Sequence, residues 1–420
     1  MKNFKNERIF ILRFVKKILI LFFKFSLILL SIPLSILTVF FYLWIVQKKI
    51  KILTNHREEG FGHNINELFF AAYSLKKNDI SKGLIFYRTV PVTKFFSNLF
   101  KDKILFCNFI LTYLFYFFVL VLESHKKNTI EIGTNKKFDL LLDKVKKDNK
   151  YLINRKQVFK KRIEECKVVT KSKVYKNIVN NIEFFDKKNT IKYSNFLSEL
   201  NIKKDDWFIC IHAREVNDND KLRSGSFHDY KKLVEYISQE GGYIIRLGDK
   251  LKSFQNKNLI NLYETDYNKV GFNMFVIQNS SLFVSTSSGP QSTHWFLETP
   301  QVQVNCIPES APYNSIHSYM PILIIDKETN NFVPASKYWE YYFNHSNLTT
   351  ERYTVLKNSP DDILNACKYK FLEVKNNNYS SNESQDVWKG KFPSYSYYRY
   401  IESKVDPIFY KKYFNNFFNK

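Results

Sequence analysis

A pair of side chains suited to binding phosphate follows one apolar run of the chain. The run, residues 207–211, leads directly into His212-Ala213-Arg214. Because alternate residues of an extended chain face the same way, His212 and Arg214 are expected to point together. The guanidinium of Arg214 offers a planar fork of donors that matches phosphate oxygens, and His212 can orient a phosphate or a sugar hydroxyl. The alternative is a surface ion pair for Arg214.

A second anion-binding pattern follows another apolar run, residues 282–286, and consists of Ser287, Ser288 and Gly289. Where a strand turns into a helix, free backbone N–H groups, the helix dipole and hydroxyl groups together attract an anion. Simple capping of the helix by Ser287 or Ser288 uses the same donors and is the alternative. We interpret both patterns as parts of one pocket that holds a diphosphate.

Three further residues are candidates for the same pocket. Arg223 lies in the polar loop after Arg214, and Arg246 and Asp249 end a neighbouring apolar run. Arg223 and Arg246 suit phosphate, and Asp249 can accept a hydrogen bond from a ribose or a base. Asp249 fits a plain turn equally well.

A glycine-containing segment near the amino terminus supplies a separate set of candidates. It lies between a predicted strand, residues 51–55, and a predicted amphipathic helix, residues 65–75, and its candidates are Gly60, Gly62, His63 and Asn64. Many nucleotide-binding units begin with a strand, a glycine-containing turn and a helix. Two glycines alone also fit an ordinary tight turn.

Metal chemistry has little support in the sequence. Asp218 and Asp220 form an Asp-x-Asp pattern, but six residues separate Asp218 from the end of the preceding strand, whereas a metal-binding pair follows its strand directly. The five cysteines are scattered and form no Cys-x-x-Cys pair. Cysteines in predicted strands are expected in the core, and the pattern fits a reducing compartment.

These candidates require an α/β fold with a parallel sheet, in which ligands lie at the carboxyl ends of the strands. From residue 203 onwards, apolar runs alternate with helical patterns, which predicts a doubly wound lobe. The predicted strands are 207–211, 243–247, 259–262, 282–286 and 302–305, with a last apolar run at 322–325. The predicted helices are 229–238, 270–278 and 289–297.

Two long apolar runs indicate contact with a membrane. Residues 25–46 carry no charge and, as a helix, would extend about 33 Å, enough to cross a bilayer core of about 30 Å. A buried core helix and a kinked hairpin are the alternatives, and basic residues on both flanks leave the orientation open. The run 104–122 is interpreted as an interfacial or buried helix, since a crossing there would divide the proposed catalytic unit.

The net charge of +24 favours anionic partners, although lysine is abundant throughout the chain. After residue 345 the sequence becomes polar, and its end, residues 410–420, predicts either a helix packed on the first lobe or a basic-aromatic membrane contact. The predicted organisation is a basic amino terminus with a membrane segment (1–48), an amino-terminal lobe (49–195), a nucleotide-sugar lobe (196–345) and a carboxyl-terminal extension (346–420).

Several of these segments resemble a known family. The chain resembles bacterial surface-polysaccharide glycosyltransferases in segments 196–200, 207–214, 242–249 and 286–289. It also resembles them at Arg223, Tyr230, Asp266, Tyr267, Asn305 and Pro308. The His-x-Arg element and the serine-rich turn also resemble fucosyltransferases of the GT-B fold. The resemblance implies two Rossmann-type lobes, a nucleotide-sugar donor as substrate, and no metal or other cofactor. It further implies that Arg214 holds the leaving diphosphate and that residues 60–64 face the acceptor, with His63 near the acceptor hydroxyl.

The sequence therefore predicts a glycosyltransferase at the inner, cytoplasmic membrane that extends a surface glycan on a lipid-linked acceptor. The expected partners are a nucleotide-sugar, the glycan and the membrane, but not nucleic acid. The rival from another class is a membrane-anchored protein that binds a nucleotide or phosphorylated polymer without catalysis. A basic nucleic-acid-binding protein and an enzyme with its lobes in a lumen are further alternatives.

Overall fold

Two parallel β-sheets organise the chain, one in each of two compact units, residues 1–143 and 144–420. The structure is a computed structural model. It describes residues 19–30, 40, 43–45, 47–54, 61–87, 94–114, 119, 129–131, 184–214, 225–248, 254–307, 310–335, 352–376, 383–392 and 396–418.

The first unit is built on a four-stranded sheet with the order β3-β2-β1-β4, in which every neighbouring pair is parallel. The strands are β1 (Lys51–Thr54), β2 (Gly83–Phe86), β3 (Ile104–Cys107) and β4 (Thr129–Glu131). The helices are α1 (Phe61–Lys77), α2 (Lys94–Leu99) and α3 (Phe109–Leu114). Helix α1 buries Ile65, Leu68, Phe69 and Leu75, which recur at helical spacing.

The predicted strand at residues 51–55 is confirmed as β1, but two other predictions for this unit are wrong. The run 104–122 does not form one helix: it begins with β3, which pairs with β2, and continues after Asn108 as α3. Asn108 caps α3 by accepting from the Leu111 N–H (3.0 Å). Helix α1 begins at Phe61, so residues 62–64 lie in its first turn and not in a loop before it.

The predicted membrane segment also differs from the expectation. Residues 19–30 are helical, and Ile45, near the end of the segment, is fully buried with Ile50, Ile52, Leu84, Phe86 and Val119 in the core of the first unit. Residues 31–39, 41–42 and 46 lie outside the described residues. Within the described part of the chain, no helix combines the length and the apolar character that crossing a membrane requires.

The second unit contains a seven-stranded, wholly parallel sheet with the order β14-β10-β9-β8-β5-β6-β7. Its strands are β5 (Phe208–His212), β6 (Tyr243–Arg246), β7 (Leu259–Asn261), β8 (Leu282–Ser285), β9 (Gln301–Cys306), β10 (Ser318–Pro321) and β14 (Lys404–Val405). The chain leaves β5 towards β6 and β7 and then returns to β8 on the other side of β5. This reversal makes the sheet doubly wound, as the sequence predicted.

Helices of the second unit cover this sheet. They are α4 (Lys187–Glu199), α5 (Lys231–Gln239), α6 (Val270–Asn279), α7 (Pro360–Lys375), α8 (Glu383–Gly390) and α9 (Pro407–Phe418). Helix α6 buries six of its ten residues, which suits a helix enclosed within the fold. Helix α4 begins before the predicted lobe boundary at residue 196, and its Tyr193 and Phe196 rings pack against Phe272 of α6.

Three predictions for the second unit need correction. Residues 289–297 form a short 3₁₀ helix, Pro290–Trp295, in place of an α-helix. The run 322–325 becomes β11 (Leu323–Asp326), which pairs antiparallel with β12 (Asn331–Phe332) and β13 (Tyr353–Leu356) in a separate sheet. The end of the chain packs within the second unit, where rings of α9 surround the buried Trp388 side chain.

We predict that Gly242→Ala destabilises the second unit. An alanine Cβ at residue 242 would lie 2.5 Å from a ring carbon of Trp207, so the ring or the start of β6 must move. Overpacking of this kind costs about 1–3 kcal/mol. Gly390→Ala is the control, because no atom beyond its chain neighbours and its own helix backbone lies within 4 Å of the added Cβ. Thermal denaturation should show a lower Tm for Gly242→Ala only, and equal Tm values would contradict this account.

We predict a distinctive pH dependence from Asp406, which begins α9. Its Oδ1 accepts from the backbone N–H groups of Ile408 (3.0 Å) and Phe409 (2.9 Å), while burial raises the carboxyl pKa to about 6. The folded chain therefore holds a proton that the unfolded chain releases near pH 4, so this group lowers the stability as the pH rises from about 4 to about 6. Asp406→Asn retains an accepting oxygen for the cap but does not titrate. Its Tm relative to the parent should rise across that interval.

The control is Asp326→Asn, for which the opposite trend is expected. Hydrogen bonds from Arg352 lower the pKa of Asp326, so its carboxylate stabilises the folded chain above the unfolded pKa and loses that effect as the pH falls. The Tm of Asp326→Asn relative to the parent should therefore fall as the pH rises. Parallel trends for the two variants would refute the assignment for Asp406.

Candidate functional site

The reversal in strand order places two turns side by side at the carboxyl edge of the seven-stranded sheet. His212 ends β5, Ser285 ends β8, and the two residues are register partners. The backbone N–H of Thr286 continues the pairing by donating to the His212 carbonyl (3.2 Å). In open α/β sheets, ligands bind outside the carboxyl ends of the strands at such a switch point. The geometry therefore marks this edge as the candidate site.

Side-chain hydrogen bonds join the two turns beyond the ends of their strands. The backbone N–H of Arg214 donates to Thr286 Oγ1 (3.1 Å), and Ser288 Oγ lies 3.0 Å from His212 Nδ1. Thr286 is fully buried, whereas His212, Arg214 and Ser288 are partly exposed. The structure thus brings together three of the predicted donor-site residues and fixes the backbone of Arg214 beside the serine turn.

Gly248 allows the His212 ring to lie at this edge. Its φ is +110°, a backbone conformation that residues other than glycine rarely adopt. A Cβ at this position would lie 3.4 Å from His212 Nε2. The imidazole therefore lies between the Ser288 hydroxyl and the backbone at residue 248. The sequence shows a glycine directly after an apolar run, but it does not show that this glycine lies beside His212.

The described chain resumes at this site with Gly225. The Gly225 N–H donates to the Arg214 carbonyl (2.7 Å), so the residues on either side of positions 215–224 meet at the sheet edge. A Cβ at Gly225 would lie 3.3 Å from Asn305 Nδ2 and 3.9 Å from Thr286 Cγ2. Gly225 therefore permits close approach of the returning chain to β8 and β9.

Ser287 has a different environment from Ser288. Its buried hydroxyl accepts from the Ile307 N–H (3.1 Å) and from Gln303 Nε2 (3.0 Å), and it bonds the Ser310 hydroxyl. Neither serine caps the following 3₁₀ helix, because the cap residue is Gly289 and makes no side-chain capping bond. The Ser287 side chain joins β8 to β9, and the Ser288 side chain contacts His212.

Asn305, the penultimate residue of β9, is a candidate to which the sequence analysis assigned no role at the site. It is fully buried and has a φ of +50°, which is uncommon outside glycine but tolerated by asparagine. Its Oδ1 accepts from the Asn358 N–H (2.7 Å), while its own N–H donates to Asn358 Oδ1 (2.5 Å). Its Nδ2 bonds no described residue and faces Gly225. The sequence offered two signals for this residue: an asparagine at the end of a predicted strand and the family resemblance at this position.

Arg246 is held by packing. Its guanidinium carbon lies 4.0 Å from the centre of the Phe227 ring and 5.2 Å from that of Tyr263, and the side chain is 1% exposed. Its register partner on β5 is Ile211, the neighbour of His212. Because successive side chains of a strand point to opposite faces, the pairing directs Arg246 and His212 to opposite faces of the sheet. The Arg246 side chain therefore packs against aromatic rings on the face of the sheet opposite to His212.

For the remaining predicted site residues, the structure describes either nothing or the backbone alone. Arg223, Asp249 and Gly60 lie outside the described residues, as do the Asp218–Asp220 segment and Pro308. Gly62, His63 and Asn64 lie in the first turn of α1, in the first unit, where only the backbone is described. Their predicted contact with an acceptor stays a prediction.

The two cysteines near this edge are buried in its strands. Cys210 and Cys306 are buried in β5 and β9, and burial raises the pKa of the Cys306 thiol to about 12 and that of Cys210 further. Both thiols are neutral at pH 7, which disfavours nucleophilic or metal-binding roles. Among the described residues, no group of three or more His, Cys, Asp and Glu side chains could hold a metal ion.

We predict that the two adjacent serines differ in their contributions to stability. Ser287→Ala leaves the buried Ile307 N–H and Gln303 amide without this acceptor, at a cost of about 1–3 kcal/mol for an unsatisfied buried group. Ser288→Ala removes a partly exposed contact to His212 and should change stability by less than about 0.5 kcal/mol. Denaturant titration of both variants tests the difference, and equal losses of stability would refute it.

Comparison with known proteins gave only distant structural neighbours. No protein-family model and no curated protein matches the sequence. The Escherichia coli ADP-heptose LPS heptosyltransferase II aligns with 78% of this chain and 99% of its own at 9% identity and a TM-score of 0.40. A family 9 glycosyl transferase from Veillonella parvula aligns with 77% of this chain and 97% of its own at 10% identity and a TM-score of 0.37. The wall teichoic acid polymerase TagF covers 61% of this chain and 70% of its own, with 12% identity and a TM-score of 0.30.

Proposed function

We propose that this chain is a metal-independent glycosyltransferase of the GT-B type, which moves a sugar from a nucleotide-diphosphate donor to a glycan acceptor. The observation that carries the proposal is the joining of the turns after β5 and β8 at the switch point of a doubly wound sheet. Arg214 and Ser288 are tied there to Thr286 and His212 across the two strands. An arginine whose backbone is fixed beside hydroxyl groups at this edge can supply the donors that suit a diphosphate.

Arg214 is the proposed catalytic residue. When a glycosyl bond to a nucleotide breaks, negative charge develops on the departing diphosphate, and a guanidinium held nearby stabilises that charge. The bond from the Arg214 N–H to Thr286 fixes the backbone from which this side chain extends. In the proposal, His212 and Ser288 orient the phosphate or a sugar hydroxyl, while Arg223, Asp249 and Gly289 complete the donor site. Ser287 supports the turn through its buried network, and Arg246, enclosed by aromatic rings and directed to the opposite face from His212, takes no part in donor binding.

The acceptor side of the proposal rests on the first unit. Gly60, Gly62, His63 and Asn64 are proposed to face the acceptor, with His63 in contact with the hydroxyl that attacks the sugar. The proposed acceptor is a lipid-linked surface glycan. Because activated sugar donors occur in the bacterial cytosol, the catalytic units are placed at the cytoplasmic face of the inner membrane. The support for this assignment is the sequence resemblance described above.

We predict that Arg214→Ala abolishes transfer while leaving the fold intact. Loss of one group that stabilises the leaving charge lowers turnover by about 100-fold to 1,000-fold. The control is Arg352→Ala, which also removes one positive charge but lies beside β13, where Arg352 pairs with Asp326. The full chain is incubated with a panel of nucleotide-sugars, and nucleotide release and sugar transfer are followed by mass spectrometry with and without a chelator.

The outcomes of this experiment separate the proposal from its rival. Nucleotide release that Arg214→Ala loses, Arg352→Ala retains and a chelator leaves unchanged supports a metal-independent transferase. Thermal stabilisation by GDP or UDP without turnover of any donor indicates the non-catalytic nucleotide-binding protein. Full turnover by Arg214→Ala, measured on a variant with unchanged circular dichroism, overturns the assignment of the site.

A further inference from the structure

Apolar side chains are exposed on one helix of the first unit to an unusual degree. Eight of the twelve residues in the helical segment 19–30 are large hydrophobic residues between 43% and 70% exposed: Leu19, Ile20, Leu21, Phe22, Phe23, Phe25, Leu29 and Leu30. Only Leu27 in this segment is buried. A helix in a globular fold normally turns its apolar side chains towards the core, so a helix that exposes them indicates a surface that a partner covers.

A second element extends this surface. The ring of Tyr113 in α3 lies 4.9 Å from Lys24 Nζ, which joins α3 to the helical segment 19–30. Ile110 and Leu111 of α3 are 39% and 42% exposed. Ile110 lies three residues before Tyr113, hence one turn away on the same side of α3. Apolar side chains from two separate elements are therefore exposed close to one another.

A third group of exposed apolar side chains is flanked by lysines. Phe40, Leu43 and Trp44 are exposed, and the Lys48 N–H donates to the Trp44 carbonyl (2.9 Å) at the end of this helical turn. Lys48 and Lys49 are themselves exposed. Ile45, buried in the core of the first unit, anchors the turn. Exposed tryptophan and phenylalanine next to lysine are characteristic of protein segments that bind at a lipid–water interface.

The charge of this part of the chain identifies the partner. Residues 8–57 contain nine lysines and arginines and no aspartate or glutamate. Anionic headgroups attract such a cluster, with a contribution of about 1 kcal/mol for each basic residue near the surface. A second copy of this chain would bring like charges together, and lysine is depleted from protein interfaces. Among these partners, an anionic lipid surface alone complements both the apolar side chains and the charge.

We infer that the helical segment 19–30, Phe40, Leu43 and Trp44, and the exposed residues of α3 form one face that docks the first unit on an anionic lipid bilayer. We call it the lipid-docking face. Its apolar side chains enter the boundary between headgroups and acyl chains, and its lysines contact the headgroups. The inference does not depend on the proposed reaction, because docking is measured without a donor or an acceptor.

The test is cosedimentation of the full chain with vesicles, either of phosphatidylcholine alone or of phosphatidylcholine mixed with phosphatidylglycerol. The parent should partition at least about tenfold more strongly onto the mixed vesicles, and high salt should reduce the difference. Phe22→Gln/Phe25→Gln and Ile110→Gln/Leu111→Gln should each lower partitioning by about tenfold, because each removes two apolar side chains from the lipid contact. The matched control is Ile191→Gln/Leu372→Gln, in which both residues are 54% exposed in the second unit.

Several results would overturn the inference. One is equal partitioning of the parent onto neutral and mixed vesicles, and another is equal loss in the second-unit control. Unchanged binding by the α3 variant would remove α3 from the face and refute a surface shared by two elements. In another outcome, the parent fails to bind vesicles and forms a dimer in solution that Phe22→Gln/Phe25→Gln dissociates. That result would identify a second copy of the chain as the partner. Circular dichroism and Tm are compared for all variants, so that unfolding is recognised as such.

Discussion

The pairing of β5 with β8 is the interaction on which the candidate site depends. These strands are consecutive in space but separated in the chain by β6, β7 and the connections between them. Ile209, Cys210 and Ile211 of β5 and Val284 of β8 are fully buried, so the two strands cannot separate without exposing the centre of the core. The turns that follow the two strands are therefore fixed relative to each other by the buried apolar residues of the strands as well as by the polar contacts between the turns.

Burial on both faces also explains why these strands could be predicted from the sequence. Central strands of a parallel sheet read as continuous apolar runs, and glycines or polar residues bound them. The predictions for β5, β6, β8 and β9 were therefore correct within one or two residues. The same reasoning failed for residues 104–122, because a buried strand and an apolar helix cannot be distinguished by periodicity when both are apolar throughout. It failed again at 289–297, where the helix is a 3₁₀ turn of six residues.

The convergence of His212, Arg214 and the serine turn could be predicted, because the carboxyl ends of neighbouring parallel strands meet at one edge. The roles of individual side chains could not. Ser287 bonds groups 16 to 23 residues away, and Asn305 bonds Asn358, which is 53 residues away. Gly225 is closely approached by the Asn305 side chain, and Gly248 has a positive φ beside the His212 ring. Such requirements arise only when the tertiary structure brings distant segments together, and local sequence patterns do not encode them.

The two adjacent serines show how this edge combines rigidity with access. The Ser287 hydroxyl is committed to the buried network formed with Gln303, Ile307 and Ser310, which fixes the turn to β9. The Ser288 hydroxyl, one residue later, is partly exposed and contacts the imidazole that ends β5. One side chain thus holds the backbone, while its neighbour offers a polar group at the surface. The polar group at the surface is therefore carried by a backbone that the fold already holds in place.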